Sequence, residues 1–311
     1  VVLISQRIFL ETIKKYCLAR SIAVEVRSGG WLVIMTKGGT RRLAIGYDIG
    51  LNSAVAHQVA NDKSACAEVL ASAGISAIPH RLFLGSKLSK HIPGSDSLDA
   101  MLLLLAQHPH GLVVKPNEGT SGELVFRVTT RTQLETAVAR ILAAHPSLAI
   151  SPYVEIKDEV RFIVLDDCAL LAYVKLRPTA VGDGVHSLRE LAHKTAPADL
   201  LKTITDDFSP AVLDSIPPKG ELRIINWRHN LDSGAEPVLL KHKEMPHFGG
   251  ALAINAAQAL RIRFASIDVV QVDGSWHILE VNSGVKMEAL GKRAPDLVEM
   301  IYSTALDKVF A

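Results

Sequence analysis

The sequence predicts an α+β fold, and two observations carry that expectation. Strands come as hairpins across short polar turns: 159–165 and 169–175 flank Asp166-Asp167, and 265–272 and 275–281 flank Asp273-Gly274. Helical patterns sit between these hairpins in blocks, not in strict alternation with single strands, which argues against a doubly wound parallel sheet. With 311 residues, 48% of them hydrophobic, the chain can bury a large core and suggests two or three modules.

The first module, 1–61, reads as a small α/β unit. Ile8, Phe9, Thr12, Ile13 and Tyr16 recur at helical spacing. Strands are expected at 23–27, 31–36 and 41–45, with turns at Gly29-Gly30 and Lys37-Gly38-Gly39. The second module, 62–150, opens with Asp62 as N-cap of a helix over 63–73 that Gly74 ends. A Leu-rich helix over 97–107 follows, then the strand ending at Lys115-Pro116, the loop 117–122, a strand over 123–129 and an amphipathic helix over 132–144. The third module, 151–311, holds both hairpins. Between them helices are expected near 187–193 and 200–206, then a long one over 247–260, and 295–310 closes the chain.

Bulk properties narrow the function. Lys plus Arg number 34 and Asp plus Glu 32, so the net charge is only +2 and no basic field advertises a nucleic-acid partner. Cys17, Cys66 and Cys168 form no CxxC pair and no zinc spacing, which fits a reducing compartment and thiols used as small core residues. The longest apolar run, 100–106, is far short of the ~20 residues of a bilayer span. The chain starts at Val1 without Met and without a signal-like pattern. A cytoplasmic protein with no membrane partner is expected.

Three clusters bear chemistry. Lys115 ends a Leu/Val strand and faces a loop with Gly119, Thr120, Ser121 and Gly122, whose backbone N–H groups could approach a polyphosphate. The loop lacks the GxxxxGK[ST] order, and an ordinary glycine-turn hairpin reads equally well. Asp268 lies on one strand of the second hairpin; Glu280 and Asn282, two apart, share a face of the other. Folded across Asp273-Gly274, these oxygens can form one patch of hard ligands for Mg²⁺. A polar solvent face is the rival reading, disfavoured because the flanking residues are apolar. The third cluster carries Arg228, Asn230, Ser233 and Gly234, where an arginine fork could hold a carboxylate or phosphoryl group. On residue type alone a surface loop is the simpler account there, and also for Lys175, Arg177 and the Gly182-Asp183-Gly184 turn.

In this order the clusters resemble the ATP-grasp superfamily, nearest to glutathione-synthetase-like and cyanophycin-synthetase-like carboxylate–amine ligases. The resemblance rests on Asp62-Lys63 with Ala73-Gly74-Ile75 and Pro79; on Lys115-Pro116-Asn117 with Gly119 to Gly122; and on Glu159-Val160-Arg161-Phe162. It continues through Arg177-Pro178 with Gly182-Asp183-Gly184-Val185-His186-Ser187, Arg228-His229-Asn230-Leu231 with Ser233-Gly234, and Asp268 with Glu280-Val281-Asn282. Two departures stand out. Ser151-Pro152 occupies the stretch where the family usually offers Glu or Gln near adenine, and Asn282-Ser283-Gly284 lacks the Pro-Gly that often follows. The sequence reads as the grasp unit alone, without the partner modules of the larger ligases.

The resemblance implies two α+β subdomains gripping ATP behind a small N-terminal module. It implies ATP and Mg²⁺, two ions or Mn²⁺ in their place, held by Asp268, Glu280 and Asn282. Lys63, Lys115, Lys175 and the 119–122 loop would contact phosphates, and Glu159 the ribose. Arg228 and Asn230 would be catalytic, and Arg161, Arg177, Ser233 and Gly234 would contact substrate. The implied reaction joins amino acids or small peptides through an acyl phosphate. Extension of a protein or peptide tail, or a catalytically degenerate nucleotide-binding module, remain alternatives. Small amino-acid or peptide substrates are the expected partners, and a homo-oligomer is left open.

Overall fold

The computed structural model describes residues 7–92, 94–119, 122–195 and 208–311. The helix expected near 200–206 and the candidates Thr120 and Ser121 lie outside the described residues. Two compact units emerge, one formed by Val1–Ala172 with Lys241–Ala311 and the other by Tyr173–Leu240.

The first unit begins with α1 (Ile8–Ala19), which buries Phe9, Leu10, Ile13, Tyr16 and Cys17 along one stripe. A meander of β1 (Ala23–Arg27), β2 (Leu32–Lys37) and β3 (Thr40–Ile45) follows. Next come α2 (Ala54–Asn61), capped by Ser53, and α3 (Lys63–Ser72), whose cap Asp62 accepts from the Ala65 N–H at 2.8 Å. A four-stranded antiparallel sheet then forms from β4 (Arg81–Leu84), β5 (Leu112–Pro116), β6 (Phe126–Val128) and β7 (Ser147–Pro152), in the order β4-β7-β5-β6. With α4 (Ser86–Ser89) and α5 (Leu98–Gln107) between β4 and β5, and α6 (Arg131–Ala144) after β6, it encloses a core of Phe83, Met101, Leu112, Val114, Leu134, Ile141 and Leu148 among others. A capping box between Thr130 and Gln133 starts α6.

The sheet that carries the acidic cluster begins with β8 (Glu159–Leu165) and β9 (Cys168–Leu176), and β9 continues into the second unit. Within that second unit β10 (Thr179–Val181) pairs with β11 (Leu222–Ile224), and β12 (Glu236–Leu239) pairs with the later half of β9. There α7 (Leu188–Thr195) and α8 (Pro210–Leu213) border a small core of Ala180, Leu188, Leu191, Leu213 and Ile225. The chain returns to the first unit with α9 (Gly250–Ala259), β13 (Phe264–Val272), β14 (Ser275–Asn282), α10 (Glu288–Gly291) and α11 (Pro295–Val309). In the first unit the sheet order is β9-β8-β13-β14.

Two local outcomes differ from the sequence reading. The single helix expected over 247–260 is split: a 3₁₀ turn, His242–Phe248, ends at Gly249, whose φ of 88° breaks the α ladder before α9. Gly249 also has no room for a side chain, since a Cβ there would lie 2.9 Å from a Val269 methyl. The strand expected over 123–129 is confined to Phe126–Val128, because Gly122 and Leu124 take positive φ values of 73° and 53°.

Candidate active site

The site grows from the register of β8, β13 and β14. The Asp273-Gly274 turn takes positive φ at both residues, the geometry of a tight two-residue hairpin, and pairs Val272 with Ser275. Counting back from that turn, Leu279 should oppose Asp268, which would send Glu280 to the other face of the sheet. A β-bulge prevents this. The register shifts between Asp268 and Val269, so Val269 pairs with Ile278, Leu279 is the extra residue, and Glu280 falls directly opposite Asp268. Asn282 then opposes Ser266, so Asp268, Glu280 and Asn282 share one face. The bulge is what puts the three residues on one face of the sheet.

Across the other edge of β13, Asp268 opposes Arg161 of β8. The guanidinium grips the carboxylate bidentately, with Nε and Nη2 each donating at 2.7 Å, and Asp268 is 1% exposed. One row therefore reads Arg161, Asp268, Glu280. The next row toward the turn reads Glu159, Val270, His277, with Glu159 buried.

Lys63 connects this row to the glycine loop. As the first residue of α3, its Nζ donates to the Gly119 carbonyl at 3.0 Å and lies 3.8 Å from Glu280 Oε1. The start of the loop is fixed to the same helix. Asn117, buried, accepts at Oδ1 from the Ser64 N–H at 3.1 Å, and its carbonyl accepts from the Lys63 N–H at 3.1 Å.

Lys115, at the end of β5, is buried, and its ammonium forms no hydrogen bond or ion pair among the described residues. Burial drives its pKa from 10.5 to about 8; nearby Lys63 pushes the same way, while Glu280, Glu159 and Asp268 resist. His80 is also buried. Its Nδ1 lies 2.9 Å from the Ile78 carbonyl, and its Nε2 has no partner among the described residues. Burial, then the charges of Lys115 and Lys63, hold its pKa well below the ordinary histidine range, so the ring is neutral. Lys63, Cys66, His80 and Glu280 line a common cleft with Leu70 and Ile278. Burial, followed by the charge of Glu280, raises the Cys66 thiol to about 12, which rules out a thiolate nucleophile at neutral pH.

The structure thus gathers Lys63, Lys115, Glu159, Arg161, Asp268, Glu280, Asn282 and Gly119 in the first unit. Gly122 turns the loop with its positive φ. Lys175, Arg177, Arg228, Asn230, Ser233 and Gly234 belong to the second unit. Lys175 is buried, and its carbonyl lies 2.8 Å from His229 Nδ1. Arg228 lies 4.6 Å from the Trp227 ring, and its N–H donates to Asn226 Oδ1 at 3.0 Å. Asn230 caps the 3₁₀ turn Leu231–Ser233 by accepting from the Asp232 N–H at 2.9 Å, and Gly234 ends that turn at φ 90°. Sequence reasoning quoted Asn117 within the loop motif without giving it a role, and it missed His80 and Asn226, whose burial and backbone contacts no motif announces.

No family model matches the chain. The glutathione biosynthesis bifunctional protein GshAB of Listeria monocytogenes is 24% identical over 198 residues, 55% of this chain and 25% of that protein. A bifunctional glutathione synthetase from Pasteurella multocida superposes with a TM-score of 0.54 at 17% identity, covering 96% of this chain and 44% of the other. A D-alanine–D-alanine ligase from Bacillus anthracis gives the same TM-score and identity, covering 83% and 69%. The chain has the ATP-grasp fold. It spans less than half the length of the Pasteurella protein and about a quarter of the Listeria one. Among the described residues no helix is long and apolar enough to cross a membrane.

Proposed function

We propose that this protein is an ATP-dependent carboxylate–amine ligase that forms an amide bond by way of an acyl phosphate, releasing ADP and phosphate. The observation that carries the reading is the desolvated Lys115 side chain beside the row Arg161, Asp268, Glu280. Taking a cation out of water is costly, and a phosphate oxygen is the natural anion to offset that cost. The likeness to glutathione-forming and D-alanine-joining enzymes supports the same reading.

The donor set suits a hard divalent cation. Asp268 and Glu280 oppose each other and Asn282 adds an amide oxygen on the same face. These three residues would hold Mg²⁺, which supplies charge neutralisation for a transferring phosphoryl group.

The other roles are those the family resemblance implies. Lys115 and Lys63 neutralise phosphate oxygens, and Lys63 ties the loop carrying Gly119, Thr120, Ser121 and Gly122 to Glu280. A closed loop keeps water from an acyl phosphate. Glu159 accepts from a ribose hydroxyl. The substrate carboxylate attacks the γ-phosphorus and ADP leaves; the amine then attacks the acyl carbon, phosphate departs and the amine releases a proton. Lys175 contacts phosphate, Arg228 stabilises the phosphoryl group and then the tetrahedral oxyanion, and Asn230, Arg161, Arg177, Ser233 and Gly234 orient substrate. No cysteine or serine nucleophile is needed.

A panel of amino acids, dipeptides and a longer peptide acceptor, combined pairwise with ATP and Mg²⁺ and followed by ADP release and product mass, tests the proposal. One pair should give an amide product of additive mass less water. A product series growing by single residues on the peptide would move the assignment to tail extension. ADP release in no combination, despite bound ATP, would sink the ligase reading.

A further inference from the structure

The last pair in the β13–β14 ladder joins Ser266 to Asn282. Continued, it would bring residue 284 opposite Phe264, but β14 has ended, and a side chain from the N-terminal stretch takes over. Asn52 accepts at Oδ1 from the N–H groups of Arg263 at 2.9 Å and Phe264 at 3.0 Å. Its Nδ2 donates to the carbonyls of Phe264 at 2.8 Å and Ser283 at 3.4 Å. One carboxamide thus gives Phe264 the donor and acceptor of a paired strand and ties it to the residue after Asn282.

Beside it, α2 holds the Ser283 side chain, which is 1% exposed. The hydroxyl donates to Asn61 Oδ1 at 3.3 Å and lies 2.9 Å from His57 Nδ1. Asn61 Nδ2 donates to His57 Nε2 at 2.9 Å, which makes Nε2 an acceptor and places the ring proton on Nδ1. That Nδ1–H faces Ser283 Oγ and also Asp48 Oδ2, 2.9 Å away. Serine, histidine and aspartate in contact invite comparison with a hydrolytic triad, and the geometry excludes one. Asp48 and Ser283 share a single ring nitrogen, Asn61 occupies the other, and Ser283 is sealed from substrate.

We propose that Asn52, His57 and Asn61 form a latch that positions Asn282, making the N-terminal stretch a working part of the cation site. The inference rests on the ligase reading only in taking Asn282 as a cation ligand. Strand ends fray unless held, and Asn282 is the last residue of β14. The latch grips the chain on both strands just past that end, at Phe264, two residues beyond Asn282's partner Ser266, and at Ser283, next along the chain. Side chains that orient a ligand in this way commonly set metal affinity.

The test compares Asn52→Ala, His57→Ala and His57→Gln with the unmodified chain. Two readouts serve: hydrogen exchange in the segment 279–285, and Mn²⁺ affinity in the presence of ADP, followed by the electron paramagnetic resonance of free Mn²⁺. Both alanine variants should speed exchange in that segment and raise the half-saturating Mn²⁺ concentration about tenfold. His57→Gln, which still donates toward Ser283, should recover most of the loss. Unchanged exchange or unchanged Mn²⁺ affinity in His57→Ala would overturn the latch, as would a glutamine variant no better than alanine. Glu280→Ala separates the two ideas. If it binds Mn²⁺ like the unmodified chain, the cation assignment itself fails; if it loses Mn²⁺ while the latch variants keep it, only the latch fails.

Discussion

On the β13–β14 hairpin Asp268 and Glu280 each lie beside a cation, whereas at the end of β5 the Lys115 ammonium has no hydrogen bond or ion pair among the described residues. Asp268 sits in the Arg161 fork at 2.7 Å, and Glu280 has Lys63 at 3.8 Å. Lys115 is instead desolvated beside acids that belong to other partners, and its pKa falls to about 8. The acidic side is balanced before any ligand arrives and costs little to maintain. The basic side destabilises the empty protein and is relieved only when an anion enters. Under the proposed function the two regions would divide the work, one holding the frame and the other meeting a phosphate.

Breaking the balanced side should give the largest effect on stability. Arg161→Gln leaves a buried carboxylate without its cation, and denaturant unfolding should show a loss of about 3–5 kcal/mol. A loss below about 1 kcal/mol would mean that the pair behaves as an exposed one. Relieving the unbalanced side should act in the opposite direction. Lys115→Met should stabilise the ligand-free protein by about 1–3 kcal/mol at neutral pH, since each pKa unit of depression corresponds to about 1.4 kcal/mol. The same variant should weaken ATP at least about tenfold, as loss of a charge-assisted contact of about 1.5–3 kcal/mol requires. A variant both less stable and equally good at binding ATP would contradict the comparison.

The smallest effect is a pH dependence. The folded pKa of Lys115, about 8, lies below its ordinary value of 10.5, so between these values the folded state binds fewer protons than the unfolded one. Its contribution to stability rises with pH across that window and is fully unfavourable below it. ATP affinity runs the other way, falling as pH rises through about 8 and the ammonium is lost. Lys115→Met should remove both slopes, measured by unfolding and by nucleotide titration from pH 7 to 10.

Much of this was legible in the chain. Asp62 as N-cap, the two hairpin turns and the Glu280/Asn282 pair follow from local chemistry, because a turn or cap needs only neighbours in sequence. The bulge at Leu279 does not. The expectation of a shared face was reached without it, yet a regular ladder from Val272–Ser275 would have split the three residues across two faces. Hydrophobic spacing does not report a one-residue register shift. The latch was invisible for a similar reason: Asn52 lies 212 residues from Phe264, and His57 lies 226 from Ser283. The split at Gly249 escaped notice because the helical pattern runs through it, while the constraint comes from Val269 of another strand.

The central claim is that the shared face of Asp268, Glu280 and Asn282 serves a nucleotide-bound cation. Calorimetric titration of ATP with Mg²⁺ into the unmodified protein and into Glu280→Ala tests it most directly, with the unfolding midpoint followed in parallel. The account predicts binding to the unmodified protein, at least about tenfold weaker binding to the variant, and a stability change within about 1 kcal/mol for this half-buried side chain. Equal affinity in the two proteins, with both folded, would contradict it.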